Sequence, residues 1–262
     1  MIWGWRICFN NWFNNRLTYG RGSVKAAVTI SILAIALGTP LAGGSVTGRV
    51  ELKDSHVASV RKSGDYSGVV IWLLPAAGVS VPRAGSKHAR LIQKHKTFTP
   101  HVLAIETGTT VDFPNYDPIF HNAFSNFSGQ LFDIGLYAPG SSRSFRFQRS
   151  GAVRIFCNIH PAMSAVILVL DTPYFAVSGK DGAFEIATVP AGEYQLKVFH
   201  ERATDSVLQG LERSIVVDAG NLTLPPLEIS ETGYLPASHK NKYGKDYPKV
   251  TDHGVPYSDS AK

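Results

Sequence analysis

The stretch FCNIHPAM, residues 156–163, sets a cysteine, a histidine and a methionine within seven positions of one another at the end of an apolar run. The chain is otherwise sparing with sulfur, with two cysteines and two methionines in 262 residues. Cys8 and Met1 fall in a segment expected to be removed, which leaves Cys157 and Met163 as the sulfur atoms of the mature protein. Two scarce residues placed this close together suggest a shared task. Strand-like AVRIFC (152–157) leads into the stretch, and SAVILVL (164–170) leaves it. The cysteine therefore closes one strand, the methionine stands where the next begins, and His160 lies on the connection.

Outward from there the same texture recurs. SVTGRVEL (45–52), GVVIWLLP (68–75), VLAIETGTTVDF (102–113) and SFRFQ (144–148) are rich in β-branched and aromatic residues and are separated by Gly, Pro, Asn and Ser turns. GAFEIATV (182–189), EYQLKVFH (193–200) and LERSIVVD (211–218) continue the pattern. No amphipathic helix is expected between these runs, so the fold class is all-β, built from β-sandwich units. Residues 230–262 lack apolar periodicity and are expected to form a flexible tail laid over a surface.

Residues 1–44 have the pattern of a signal peptide. Arg6, Arg16, Arg21 and Lys25 occur without an acid and precede the apolar run AAVTISILAIALG (26–38) and the small residues LAGGS. The run is shorter than the roughly 20 residues that span a bilayer, so export to the periplasm or beyond, with cleavage near 42–44, is expected. An uncleaved leader acting as a membrane tether is the alternative. Cleavage lowers the formal charge from +6 to +2, because the leader holds four of the 26 basic residues and none of the 20 acids. The basic character of the chain is then largely that of its leader, and no nucleic-acid surface is expected.

In an oxidising compartment a single cysteine has no internal disulfide partner and is a liability when exposed. A bound metal would explain it. Copper cycling between two oxidation states suits a thiolate, two imidazoles and a weak axial thioether. FCNIHPAM can supply three of those groups, and FPNYDPIFHNAFS (113–125) offers His121 as the fourth. Asn122 and Asn158, beside two of these candidates, are placed to hold the loop by hydrogen bonds. Zinc stays open as an alternative, although structural zinc sites usually carry more than one thiolate. Covalent haem attachment would need a second cysteine before the histidine. A cysteine nucleophile would need an orienting acid that this stretch does not show.

These residues carry a resemblance. The stretch from about Lys96 to Asp171 resembles the cupredoxins, the small blue copper proteins, and its short Cys-x2-His-x2-Met loop with proline after the histidine looks like that of the amicyanins. The resemblance implies a Greek-key β-sandwich over 83–172 with one type 1 copper per chain, held by His121, Cys157, His160 and Met163. Ile159 departs from the amicyanin pattern, which has proline before the histidine. Separately, AVSGKDGAFEIATVPAGEYQLKVFHE (176–201) looks like the carboxypeptidase regulatory-like domain, a small transthyretin-like β-sandwich. The earlier strands of that family match TGRVEL and GVVIWLL, so the second sandwich is expected to be discontinuous, made of 45–82 and 173–229 around the copper unit. A tandem arrangement is the alternative.

Together these readings imply an exported one-electron carrier, not an enzyme, whose partners are redox proteins. Membrane contact is expected only if the leader stays uncleaved. His160, Pro161 and Ala162 are the expected place of electron exchange. The alternative is a non-redox copper-binding or surface-attachment module. The histidines at 56, 88, 95, 101, 200, 239 and 253 are expected to be surface or loop residues outside the metal site.

Overall fold

Strand alternation sorts the chain into two sets of sheets with separate cores. The computed structural model describes residues 43–76, 85, 87–126, 130–235 and 239–247. The proposed leader lies outside these residues, apart from 43 and 44. In the first set, the Gly44–Lys53 strand runs antiparallel to Ala183–Val189 and parallel to Asn221–Thr223 and Leu227–Ser230. The Val70–Pro75 strand pairs with Phe175–Val177 and Gly192–Phe199, and the latter pairs with Arg213–Val217. Alternate residues of these strands, including Val46, Val50, Ile71, Leu73, Phe184, Ile186, Tyr194 and Leu196, point into one apolar core.

The second set comprises strands between residues 88 and 170. Val102–Glu106, Ser164–Leu170, Gly151–Phe156, Phe124–Ser125 and Phe132–Asp133 form one sheet in that order. Ser142–Arg146, Thr110–Pro114 and His88–Arg90 form another. Leu91, Phe98, Ile105, Val111, Phe113, Phe147, Ile155 and Ile167 fill the core, and Cys157 and Met163 belong to the same cluster.

SAVILVL has no alternation because both faces of its strand are buried. Ala165, Ile167 and Val169 face the second core, whereas Leu168 and Leu170 join Val70 and Val102 in a third cluster, flanked by Trp72, Phe175 and Phe199. A strand covered on both sides reads as a continuous apolar run.

Two short helices interrupt the strands, contrary to the sequence reading. Ala58–Ser63 ends at Gly64, whose φ of 60° lets its N–H turn back onto the carbonyls of Ser59 and Val60. Asp205–Leu211 packs Val207, Leu208 and Leu211 against the first core. At six and seven residues they are too short for a 3.6-residue period to stand out in sequence. Among the described residues no helix is long and apolar enough to cross a membrane.

Polar contacts also link the two sets. His101 places Nδ1 3.1 Å from the Ser164 carbonyl and Nε2 2.8 Å from Glu201 Oε1, so both ring nitrogens can donate when the ring is charged. The Glu201 carboxylate holds His101 above its ordinary value of 6.5. Burial pushes Glu201 up, but His101, Arg202 and His200 outweigh it and draw the carboxyl down. A raised histidine contributes stability that is complete below its unfolded value and is lost as pH rises through the folded one. Denaturant titrations of the wild type should therefore show stability declining as pH climbs past neutrality, with the decline reduced in His101→Gln. Equal pH dependence in the two chains would count against a charged His101.

Candidate metal centre

The register pairs Phe156 with Ser164, which makes residues 157–163 the connection between two adjacent strands. The Cys157 N–H donates to the Met163 carbonyl at 3.2 Å, and the Met163 N–H donates to the His160 carbonyl at 3.0 Å. These bonds close the connection on itself and turn the Cys157 and Met163 side chains inward, leaving them 0% and 1% exposed. His160 is half-buried, Pro161 and Ala162 are exposed, and Ile159 is 39% exposed.

His121 arrives from another part of the same core. It belongs to no regular strand but exchanges backbone hydrogen bonds with Tyr137 in an isolated bridge, at 3.2 and 2.9 Å. Its ring is fully buried, with Nδ1 3.8 Å from Cys157 Sγ. His160 Nδ1 lies 3.7 Å from the same sulfur. The His121 and His160 rings meet edge to face at 4.8 Å. Among the described residues this is the one group of three or more His, Cys, Asp or Glu side chains able to share a metal, with all ligand atoms within 4.8 Å of one another.

The donor set fits a soft or borderline ion. A sulfur and a nitrogen bound to one metal at about 2.3 and 2.0–2.1 Å, with angles of 110–120°, lie about 3.5–3.8 Å apart, which is the spacing seen here. The thiol also has the required charge. Burial pushes Cys157 up, but the His121 and His160 side chains and the backbone N–H groups of Asn122 and Ile159 outweigh it and pull it down to about 5. A thiolate, the form that binds metal, therefore prevails at neutral pH. Met163 shares the buried cluster with Cys157, which is the environment an apolar thioether needs.

Asn122 is hydrogen-bonded to the loop backbone. It is buried, accepts the Asn158 N–H at 2.6 Å and donates to Asp133 at 3.2 Å. Asn158 turns its own side-chain oxygen outward to accept the Lys242 N–H at 3.0 Å.

Sequence reasoning missed Asp117, which lies 2.8 Å from His121 Nε2. Its carboxylate also accepts the N–H groups of His95 and Lys96, at 2.6 and 2.8 Å. Burial pushes Asp117 up, but those N–H groups and His121 outweigh it and hold the carboxyl below its ordinary value. A carboxylate on the far nitrogen fixes the ring's orientation and keeps Nδ1 toward the sulfur, as an N–H partner of the thiolate in the metal-free chain and as the nitrogen open to a metal once that proton is displaced. The signal was present in NYDPIFH, an acid four residues before the candidate histidine. Behind it, Gln93 donates to the Asn122 carbonyl at 3.1 Å, and the Tyr137 hydroxyl lies 2.8 Å from Gln93 Oε1.

The other described histidines stand outside this group. His200 is buried rather than superficial, because its Nε2 meets Glu231 at 3.1 Å. His239, from the C-terminal segment, stacks on Phe156 and reaches the Pro161 carbonyl. His253 lies outside the described residues.

No protein-family model and no curated protein matches the chain. Among solved structures it is similar to a purple cupredoxin from Nitrosopumilus maritimus, at 26% identity over 31% of this chain and 99% of that one, with a TM-score of 0.29. An amicyanin from Paracoccus versutus is 20% identical over 37% of this chain and 91% of that one, with a TM-score of 0.30. A copper-containing nitrite reductase from Thermus scotoductus SA-01 is 26% identical over 36% of this chain, with a TM-score of 0.31, and the chain spans 24% of its length. Likenesses of this extent decide nothing about the site, whose reading rests on its own side chains.

Proposed function

We propose that the chain is an exported one-electron carrier that binds one copper ion through His121, Cys157, His160 and Met163. The observation that supports it most is a single buried cysteine, held as thiolate, 3.7 and 3.8 Å from two imidazole nitrogens. One thiolate, two imidazoles and a buried thioether suit copper in both oxidation states, whereas structural zinc sites favour more thiolates. Bound there, copper supplies a one-electron couple.

The chain's own residues do the rest. Asp117 orients His121, Asn122 pins the loop at Asn158, and the hydrophobic core packed around Cys157 excludes water. Burial and a preset loop limit rearrangement between oxidation states and disfavour a transport role, which needs ligands that exchange readily. Copper loading of the purified chain should produce an intense visible thiolate band at one ion per chain, and a colourless loaded protein would sink the reading.

His160 is the favoured point of electron exchange, because it is half-buried whereas His121 is fully enclosed. Ile159, Pro161 and Ala162 surround it with uncharged surface suited to brief encounters with redox proteins. Ala162→Glu should slow electron self-exchange between reduced and oxidised copper-loaded chains about tenfold at low salt, through like-charge repulsion across the contact. Its spectrum should be unchanged. An undiminished rate would place the exchange surface elsewhere.

The pairing of 44–75 with 175–230, around strands 88–170 that pair among themselves, supports the discontinuous two-sandwich arrangement. The transthyretin-like unit offers no second candidate metal group among the described residues. Its favoured role is to support or dock the copper unit.

A further inference from the structure

Residues 239–247 lie directly against the ligand loop. Their fold is local and definite: Asn241 Oδ1 accepts the N–H groups of Tyr243 and Lys245 at 3.0 and 3.1 Å. The Asn241 N–H donates to the Lys245 carbonyl at 2.9 Å, and Gly244 takes a φ of 73° to close the turn. From this segment two side chains and one backbone N–H reach the loop. The Tyr247 hydroxyl donates to the Cys157 carbonyl at 2.9 Å, and His239 Nε2 donates to the Pro161 carbonyl at 2.9 Å. Lys242 uses its N–H on Asn158 Oδ1 and its ammonium on Asp133, at 3.0 and 2.7 Å.

Rings fill the space between these bonds. His239 stacks on Phe156 at 3.9 Å and 21°, and Tyr247 meets His239 edge to face at 5.2 Å. The segment thus engages Phe156, Cys157, Asn158 and Pro161, at both ends of the stretch that carries Cys157 and His160. It holds Asn158 by a group that Asn122 leaves free, because Asn122 takes the backbone N–H of Asn158 while the Lys242 N–H takes its side-chain oxygen.

We propose that residues 239–247 are a strap that locks the ligand loop, with Tyr247 and His239 as its positioning residues. For the loop to lift, the bonds to the Cys157 and Pro161 carbonyls and the stack on Phe156 must all break, so the strap keeps the thiolate covered and the Cys157 and His160 side chains preset. Its consequence for the metal rests on the copper reading, but its closure over Cys157 does not.

The test therefore has a metal-free arm. In a Cys8→Ser background, Cys157 is the remaining thiol of the chain, and its alkylation by iodoacetamide in metal-free protein reports the fraction of time the loop is open. Tyr247→Phe keeps the ring and loses the donor, so alkylation should quicken about fivefold, the worth of one ordinary hydrogen bond. A chain ending at Leu235 should be alkylated faster still. In the copper-loaded proteins, release of copper to a strong chelator should quicken in the same order. Tyr247→Phe should also lower the reduction potential, because the positive end of the hydroxyl dipole near Cys157 disfavours the more positive, oxidised state.

Equal alkylation rates in all three chains would overturn the strap. Faster alkylation with unchanged copper release and potential would overturn its positioning role and leave a mere cover. Faster alkylation in a chain that shows no thiolate band when loaded would uphold the strap and reject the copper reading. Tyr247→Phe removes a single oxygen, so its result stands even if the shortened chain fails to fold.

Discussion

Cys157→Ser is expected to abolish the visible band of the copper-loaded chain outright and to weaken copper binding by roughly a hundredfold or more. The band needs a thiolate as electron donor, and the other cysteine, Cys8, lies in the proposed leader. The serine hydroxyl is nearly isosteric, so packing around Ala165 and Ile167 should survive. What disappears is the charge. His121 and His160 draw the Cys157 thiol to about 5, but a hydroxyl starts so much higher that the same neighbours leave it protonated at neutral pH. Two imidazoles and a thioether then remain, without an anionic donor. Absorption spectroscopy with copper titration checks the outcome, and a serine variant that kept the band would remove Cys157 from the site.

Asp117→Ala is expected to have the next largest effect, because one carboxylate serves three donors. Its loss frees His121 to rotate or change tautomer, for which an outer-shell partner is worth about 10–100-fold in metal affinity. It also strands the N–H groups of His95 and Lys96, both in a turn with φ of 56°. Leaving such groups unsatisfied costs about 1–3 kcal/mol each where water cannot reach them. Copper affinity should fall by one to two orders of magnitude and the metal-free chain should unfold at lower denaturant. Asp117→Asn retains an acceptor oxygen and should recover part of both losses. Metal affinity equal to wild type in Asp117→Ala, measured by competition with a chelator, would show that His121 needs no such support.

The strands and the ligand loop were legible because they are written in short-range terms. SVTGRVEL and AVRIFC carry their structure in β-branched residues bounded by turns. FCNIHPAM carries its chemistry in residue types too scarce to be placed by accident. His121 was singled out because the loop wants a second imidazole, and the structure brings its ring beside Cys157 and His160; Asn122 was singled out because it adjoins His121. Two short helices were not legible, since fewer than two turns leave no period to read.

Closure of the site was decided at longer range. SAVILVL announces a buried strand, but that one face meets the core holding Cys157 and Met163 and the other meets Trp72 and Phe199 depends on which sheets stack upon it. The C-terminal segment reads as polar and aperiodic, and 239–247 nevertheless finds partners about 80–90 residues away in Cys157, Asn158 and Pro161. Hydrogen bonds from side chains to backbone carbonyls leave almost no mark on composition, because nearly every residue offers a carbonyl. Local pattern specifies which residues can form a strand or bind a metal. Which distant carbonyl a tyrosine or histidine will meet follows from the path the chain takes once its apolar faces are buried.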